Sequence, residues 1–514
     1  MLPRTCVVSV SAAPVPGDEA AREPLVMTAL ADLTADFEEL LFLARSADAE
    51  LVEAERELST ACLRPRTHGL LGAELERARR RYRALAERLC ALHAAATART
   101  RSRALLDELA AEKASLADLL RVERALTAAL VGAADWQSPS FVHSLIPSAG
   151  RQHGRIRPHW NDYKRDRHLD AEHYEHDYIH ALVDGPRELQ ALLTSCGMAA
   201  FTTVLSFLQL EGKLDGPVLA GAGLYHENRL LLERMLPGRL RFVDEADTES
   251  LLRAVDEYRP SALFLDSLSN TKWMPLPDLT RVLDRFAGTP TYLVVDNTGL
   301  SVACQPFALA DESVRLIVVE SLLKYAQLGL DRANAGIIVA RSDNAERLAF
   351  YREHLGTNVA DVAVHALPRP DRRVLERRLA RLQRNALLLA ERLAAESASH
   401  ADVVYPGLPS HRCAALTQQL SFRGGCFSLV FREPGESLRR ERGFLDQAVA
   451  EAAGRDVMLL GGSSFGFDTT RIYLTAEGAD YGEPFVRIAA GTEHRLELER
   501  IADALAAAVR EVAA

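Results

Sequence analysis

Lysine is scarce in this chain of 514 residues: Lys113, Lys164, Lys213, Lys272 and Lys324 are all there are. Amine chemistry therefore has few candidate carriers. Cysteine is sparse and scattered, at Cys6, Cys62, Cys90, Cys196, Cys304, Cys413 and Cys426, with no Cys-x-x-Cys pair. Such a set excludes a zinc ribbon and points to reduced thiols in a cytoplasm, not to a disulfide framework. No apolar run reaches the ~20 residues that span a bilayer, so no membrane partner is expected. Excess basic charge is missing as well. The chain has 61 basic and 71 acidic side chains and a formal net charge of −10. A general nucleic-acid binder needs a basic face for phosphates, so that class is set aside.

What is present is ordinary globular material, 48% hydrophobic and 26% charged, which excludes a disordered chain. At ~100–200 residues per domain, roughly two to four units are expected. Residues 1–24 hold a short apolar patch broken by prolines, a poor signal peptide read as a frayed tail. Residues 25–135 are rich in Leu, Ala, Glu and Arg. Leu75, Ala78, Tyr82, Leu85, Leu89 and Leu92 form the seam of an amphipathic helix. Leu105, Leu109, Leu116, Leu119, Leu126 and Leu130 follow the same spacing with gaps. The segment RPRTHG (64–69) separates two of the helices. A unit of three helices in antiparallel hairpins is predicted. Arg79, Arg80 and Arg81 are read as a solvated face balanced by Glu74, Glu76 and Glu87, not as a polyanion site.

The texture changes after Trp136. Short β-rich runs, PVLAGAGLY (217–225), SALFLDS (261–267), TYLVVDN (291–297), RLIVVES (315–321) and AGIIVA (335–340), alternate with helical patterns. That alternation predicts an α/β domain with a mainly parallel sheet over 136–375. One long helix over 370–400, four further short β runs and a terminal helix predict a smaller α+β domain over 376–514.

Lys324 closes one of these runs, at the carboxyl edge where open α/β sheets place ligands. A lone lysine there is usually a solvated turn residue, but Asp296 ends a neighbouring run at the same edge. Such a carboxylate either caps its turn or holds a protonated pyridine nitrogen, which strengthens the ring as an electron sink. TSCGMAA (194–200) opens a helix and presents free N–H groups to a phosphate. Tyr225 follows another run, where an aromatic ring packs in the core or stacks on a flat cofactor. A phosphate cradle, a stacking ring, a carboxylate and an amine together are what pyridoxal 5'-phosphate requires.

These residues stand in motifs that resemble the Cys/Met-metabolism group of fold-type-I pyridoxal-phosphate enzymes, which includes cystathionine γ-synthase and methionine γ-lyase. The likeness runs over residues 160–510 in the family's order. ESLLKY (320–325) resembles its lysine motif, which implies Lys324 as the Schiff-base lysine and Ser321 as a phosphate ligand. VVDNT (294–298) resembles its aspartate motif and implies Asp296 at the ring nitrogen. SCGMAA resembles its phosphate turn, implicating Cys196, Gly197 and Met198. LYHEN implies Tyr225 as the stacking aromatic and a catalytic residue. DSLSN (266–270) places Asn270 near the ring hydroxyl. FVRIAAGTE (485–493) makes Arg487 the clamp on the substrate carboxylate, with Ser463 as a further substrate contact. Tyr163 and Arg165 match an element that reaches the phosphate in the neighbouring subunit, which implies a homodimer or homotetramer with shared active sites.

The chain departs from the pattern at Leu323, Cys196, His226 and Glu227, which points to a divergent enzyme of specialised metabolism. The expected reaction is γ- or β-elimination or replacement on an activated amino acid, such as S-adenosylmethionine or an O-acylhomoserine. An aminotransferase or decarboxylase on the same scaffold is the alternative, and a silent scaffold protein is the alternative of another class. His153, His159, His168, His173, His176 and His180 crowd one stretch. The last three share a helix face that can ligate zinc, but polar contacts or an anionic substrate tail explain them without a metal, and none is assigned. The helical extension is left with three possible roles: capping the site, widening an oligomer interface or recognising a partner.

Overall fold

The computed structural model describes residues 19–60, 64–98, 102–134, 169–432, 438–475 and 483–513. Three long helices come first: α1 (Glu19–Thr60), α2 (Pro65–Thr97) and α3 (Arg103–Ala134). Helix α1 starts at Glu19, before the expected end of the tail at residue 24. Pro65 stands at the first position of α2, where its missing N–H costs nothing. The seam from Leu75 to Leu92 is buried as the spacing predicts. Short connections make neighbouring helices antiparallel.

The predicted seam of α3 is wrong by one position. Its buried side is Leu106, Leu109, Ala117, Leu120, Ala128 and Val131, while Leu119 and Leu126 are 45% and 55% exposed. Leucines line two sides of this helix, and a count of leucines overlooks the alanines that permit close packing. The buried side also carries Glu123 and Arg124, which a hydrophobic pattern reads as solvent. Arg124 pairs with Glu50 of α1 at 2.6 Å. It also donates to the carbonyls of Ala366 and Leu367, at the end of the short helix Asp361–Ala366. The arginine triplet is likewise more than a solvated face. Arg79 bonds Asp48 of α1 at 3.1 Å, and Arg81 bonds Glu123 of α3 at 2.7 Å. Only Arg80 stays on its own helix, with Glu76 four residues earlier.

A seven-stranded sheet follows, in the order β1-β7-β6-β5-β4-β2-β3. Its strands are β1 (Leu189–Thr194), β2 (Val218–Gly221), β3 (Leu240–Val243), β4 (Ala262–Asp266), β5 (Tyr292–Asp296), β6 (Arg315–Ser321) and β7 (Gly336–Arg341). Strands β3, β2, β4, β5 and β6 are parallel, and β7 runs antiparallel between β6 and β1. Strands β4 to β7 are apolar on both faces and buried on both, as expected where helices cover a sheet. The sequence reading missed β1 and β3. Helical surroundings mask the first, and the second is short and half exposed.

Register decides what meets at the carboxyl edge. Asp266 lies opposite Asp296, and Gly336 lies opposite both Ser321 and Thr194. The helix Arg372–Ser397 then leads to a five-stranded sheet ordered β10-β11-β12-β9-β8. Its strands are β8 (Ala401–Val404), β9 (Cys426–Phe431), β10 (Leu460–Gly461), β11 (Arg471–Thr475) and β12 (Phe485–Ala489). The terminal helix Arg495–Ala513 packs on it. The predicted class holds: a mainly parallel α/β sheet, a smaller α+β unit and added amino-terminal helices. Cys90, Cys196, Cys304, Cys413 and Cys426 are free thiols. Among the described residues no helix is long and apolar enough to cross a membrane.

Two neighbouring leucines test the corrected seam of α3. Leu120→Ala, buried, is expected to cost about 2–5 kcal/mol, and Leu119→Ala within about 0.5 kcal/mol. Urea unfolding followed by helix signal measures both, and equal costs would reject the register.

Candidate active site

Lys324 stands three residues past β6, where it caps the short turn Tyr325–Gln327. Tyr325 anchors that turn. Its buried ring meets Phe422 and Phe465 edge-on or tilted, and its hydroxyl accepts from the Gly425 amide at 3.2 Å. The Lys324 amine donates to Ser464 Oγ at 2.6 Å and lies 5.4 Å from the centre of the Phe465 ring. Desolvation, then the Arg487 charge, lower its pKa to about 8 against the opposing pull of Asp296. About a tenth of the amine is therefore neutral at pH 7, far more than for an ordinary lysine. Ser464 and Gly466 both have positive φ, 77° and 91°. At Gly466 a Cβ would stand 2.8 Å from the Lys324 carbonyl carbon, so only glycine allows this approach.

The facing wall is the start of the helix Gly197–Leu210. Cys196 caps it, its sulfur accepting from the Ala199 amide at 3.3 Å. The thiol thus performs the capping usually left to serine. The first amides of a helix have no intrahelical acceptor, so those of Gly197 and Met198 can serve an anion. A Cβ on Gly197 would lie 2.7 Å from Ser321 Cβ, and one on Gly336 would overlap the Cys196 carbonyl. These contacts press the helix start against the end of β6. Thr298 holds that end from the other side, its Oγ1 accepting from the Ser321 amide at 2.9 Å.

Two carboxylates close the floor. Asp296 accepts from the Thr298 amide at 3.0 Å and from Asn228 Nδ2 at 3.3 Å. Burial raises its pKa, and these bonds oppose the rise. Asp266 accepts from the Tyr225 amide at 3.0 Å. Burial and then the Asp296 charge push it well above the usual carboxylate range. Of the two, Asp266 is the more strongly driven toward its neutral form. Burial, then Glu227, also raise the Tyr225 phenol, which stays protonated.

Cys196, Gly197, Met198, Tyr225, Asn270, Asp296, Ser321 and Lys324 line one cavity of ≈ 180 Å³. Of the residues singled out from sequence, Arg487 adjoins it, donating from Nη2 to the Asn270 carbonyl. Ser463 is exposed and uses its carbonyl for Arg471, so its neighbour Ser464 is the serine at the lysine. Tyr163, Arg165, His153, His159 and His168 lie outside the described residues. His176 and His180 bond each other through Nε2 at 2.9 Å, and His173 lines a separate cleft beside the helical unit. Sequence reasoning overlooked Asn228, Asp266, Thr298, Asn334 and Phe465 among the lining residues. Asp266 was legible: it ends an apolar run just as Asp296 does. Ser464 and Phe465 had no signal, because they arrive from the other domain.

A family model described as Cys/Met metabolism PLP-dependent enzyme matches residues 131–505. The bifunctional enzyme flvA of Aspergillus flavus is 27% identical over 328 residues, 62% of this chain, and the chain spans 39% of that relative's length. A cystathionine gamma synthase from Xanthomonas oryzae pv. oryzae has a TM-score of 0.56 at 23% identity, with 70% of this chain and 90% of that one covered. For metB from Corynebacterium glutamicum the score is 0.56 at 20% identity, covering 72% and 91%. For CalE6, a methionine gamma lyase from Micromonospora echinospora, it is 0.53 at 23%, covering 66% and 87%. These structures share the fold.

The environment of Lys324 predicts its reactivity. In cofactor-free protein, labelling of this amine by a small acylating reagent should have its pH midpoint near about 8. An ordinary lysine titrates near ~10.4. Peptide mass spectrometry across pH reads the midpoint, and an ordinary value would show that the cavity does not desolvate the amine.

Proposed function

Because this chain belongs to the Cys/Met-metabolism family of pyridoxal-phosphate (PLP) dependent enzymes, we propose that it catalyses γ- or β-elimination or replacement on an activated amino acid, with Lys324 as the lysine that carries the cofactor. The observation that supports this best is the desolvated Lys324 amine inside a cavity that also holds Asp296, Tyr225 and the helix start at Gly197.

The residues present fit PLP. The amides of Gly197 and Met198 and the Ser321 hydroxyl suit its phosphate. Asp296 suits the protonated ring nitrogen, and Tyr225 offers an aromatic face. Leu323 brings no hydroxyl, so that part of the cradle is apolar. Buried Asn228 Oδ1 and Asp266 Oδ1 lack a protein hydrogen-bond partner, and both side chains line the cavity. Unpaired buried oxygen atoms of this kind call for a polar guest or water. When bound, PLP supplies an electron sink for negative charge at the substrate's Cα.

The protein's own residues supply the rest. Lys324, poised near neutrality, removes a proton from Cα and, for γ-chemistry, moves one at Cβ. Arg487 binds the substrate carboxylate through its planar fork. The protonated Tyr225 phenol serves as a donor to the leaving group, not as a base. The departures at Leu323, His226 and Glu227 support a specialised reaction that builds a carbon–carbon or carbon–sulfur bond. S-adenosylmethionine and O-acylhomoserines are the donors first to be tried. Tyr163 and Arg165 are read as completing a partner's site, which makes the working unit at least a dimer in the cytoplasm.

Borohydride treatment of the yellow holoenzyme should leave the reduced cofactor on the Lys324 peptide. Lys324→Ala should lose this label and at least ~10²–10⁴-fold in kcat. In deuterated water, exchange at both Cα and Cβ of the amino acid is expected. Exchange at Cα alone would replace γ-chemistry by transamination or β-chemistry, and a label on another lysine would reject the assignment altogether.

A further inference from the structure

The residues before position 131 precede the family match, yet α3 reaches the segments that frame Lys324. Arg121 donates from Nε to the Gly329 carbonyl at 3.1 Å and from Nη2 to Asp468. Gly329 follows Lys324 by five residues, and Asp468 follows Ser464 by four. Asp468 also accepts from Arg378 at 2.7 Å. Arg378 is fully buried, donates to the Gly466 carbonyl at 3.0 Å and pairs with Glu39 of α1 at 2.6 Å. Burial acts to raise the Asp468 carboxyl, but Arg378, Lys113 and Arg121 outweigh it and hold it well below the usual carboxylate range. It stays charged and tethered throughout the physiological range.

We infer that the amino-terminal helical unit is a positioning element of the active site: Arg121 and Glu39, through Asp468 and Arg378, hold segment 464–468 so that Ser464 and Phe465 cover the Lys324 amine. Three observations carry this. The segment is held in left-handed backbone at Ser464 and Gly466, a conformation that surrounding contacts must impose on serine. Both carboxyl partners of Arg378 lie on this path, Glu39 in α1 and Asp468 in the segment. Arg121 bridges the loop after Lys324 and the loop after Ser464 from the helical unit, beside a link that Arg471 makes between Asp331 and the Ser463 carbonyl from within the small domain. Arg121 touches no reacting atom and acts through Asp468. The catalytic meaning of this tether rests on the reading of Lys324 as the cofactor lysine.

The test compares Arg121→Gln, Arg121→Lys, Ser464→Ala and the double variant R121Q/S464A in the full chain. Arg77→Gln, on an exposed part of α2, serves as a control. Hydrogen exchange of peptides over 462–470 should rise about tenfold in R121Q, while the α2 seam peptides stay at the wild-type rate. The pH midpoint of Lys324 labelling should move upward, because loosening the cover rehydrates the amine. The amine is also faced by Asp296 of β5, Arg487 of β12, Cys426 of β9 and Asp331 of the following loop, none of which is altered. R121K should restore part of both shifts. In kcat, the loss in R121Q/S464A should be smaller than the product of the two single losses, because both act on the same cover.

Wild-type exchange and labelling in R121Q would overturn the inference. So would equal loosening of the α2 seam, which would mean general unfolding, or fully additive losses in the double variant. Should R121Q fail to fold, R121K gives the same readings at smaller amplitude. Labelling and exchange use cofactor-free protein, so they stand even where borohydride fails to mark Lys324, the result that overturns the functional reading instead.

Discussion

Moving an amine out of water penalises its charged form, and that penalty at Lys324 organises the rest of the molecule. Desolvation lowers the amine to about 8, but only while something keeps water away. The cover comes from the small domain as Ser464 and Phe465, which meet the end of the amine. An amine with a lowered pKa thus depends on a contact between the two sheets' units, not on a strand end alone. The same contact requires glycine at 466, since any side chain there would strike the backbone of Lys324.

The parallel sheet supplies the opposite charge. Strands β4 and β5 run in register and end on aspartates that lie side by side. Burial raises both carboxyls, and their hydrogen bonds divide the roles. Asp296 has two donors at its oxygens and keeps the lower proton affinity of the two, whereas Asp266, with one, orients the Tyr225 backbone. The helix start at Gly197 faces them with amide donors. Negative charge on one side and donors on the other suit a bound group with a cationic ring and an anionic phosphate.

The amino-terminal helices add a layer of charge where a hydrophobic seam would be simpler. Glu39, Asp36 and Asp468 meet Arg378, Arg121 and Lys113 at the junction with both domains. Ion pairs of this kind contribute little net stability, but losing one partner of a buried pair costs ~3–5 kcal/mol. They therefore specify one arrangement more than they stabilise it. Asp32 shows the same logic, accepting from Arg384 at 2.7 Å and from the Arg495 amide at 2.9 Å. It ties α1 to the start of the terminal helix.

Much of this was legible along the chain. Apolar runs bounded by turns marked five of the seven large-sheet strands, because strands buried on both faces need no partner's sequence to be recognised. That the lysine, the aspartate, the helix-opening turn and Tyr225 would stand at one edge was legible for the same reason: each sits at the end of its own element. What pairing brings together was not legible. The seam of α3 went to the alanine side because packing against α1 and α2, not leucine content, decides which side is buried. Ser464 meets Lys324, and Arg121 meets Asp468, across 140 and 347 residues. Local residue order determined which groups stand at the sheet's edge, since that depends on spacing within one strand or helix. Tertiary structure alone decided which of them lose water and which acquire a partner, since burial and electrostatic pairing are set by neighbours distant in the chain.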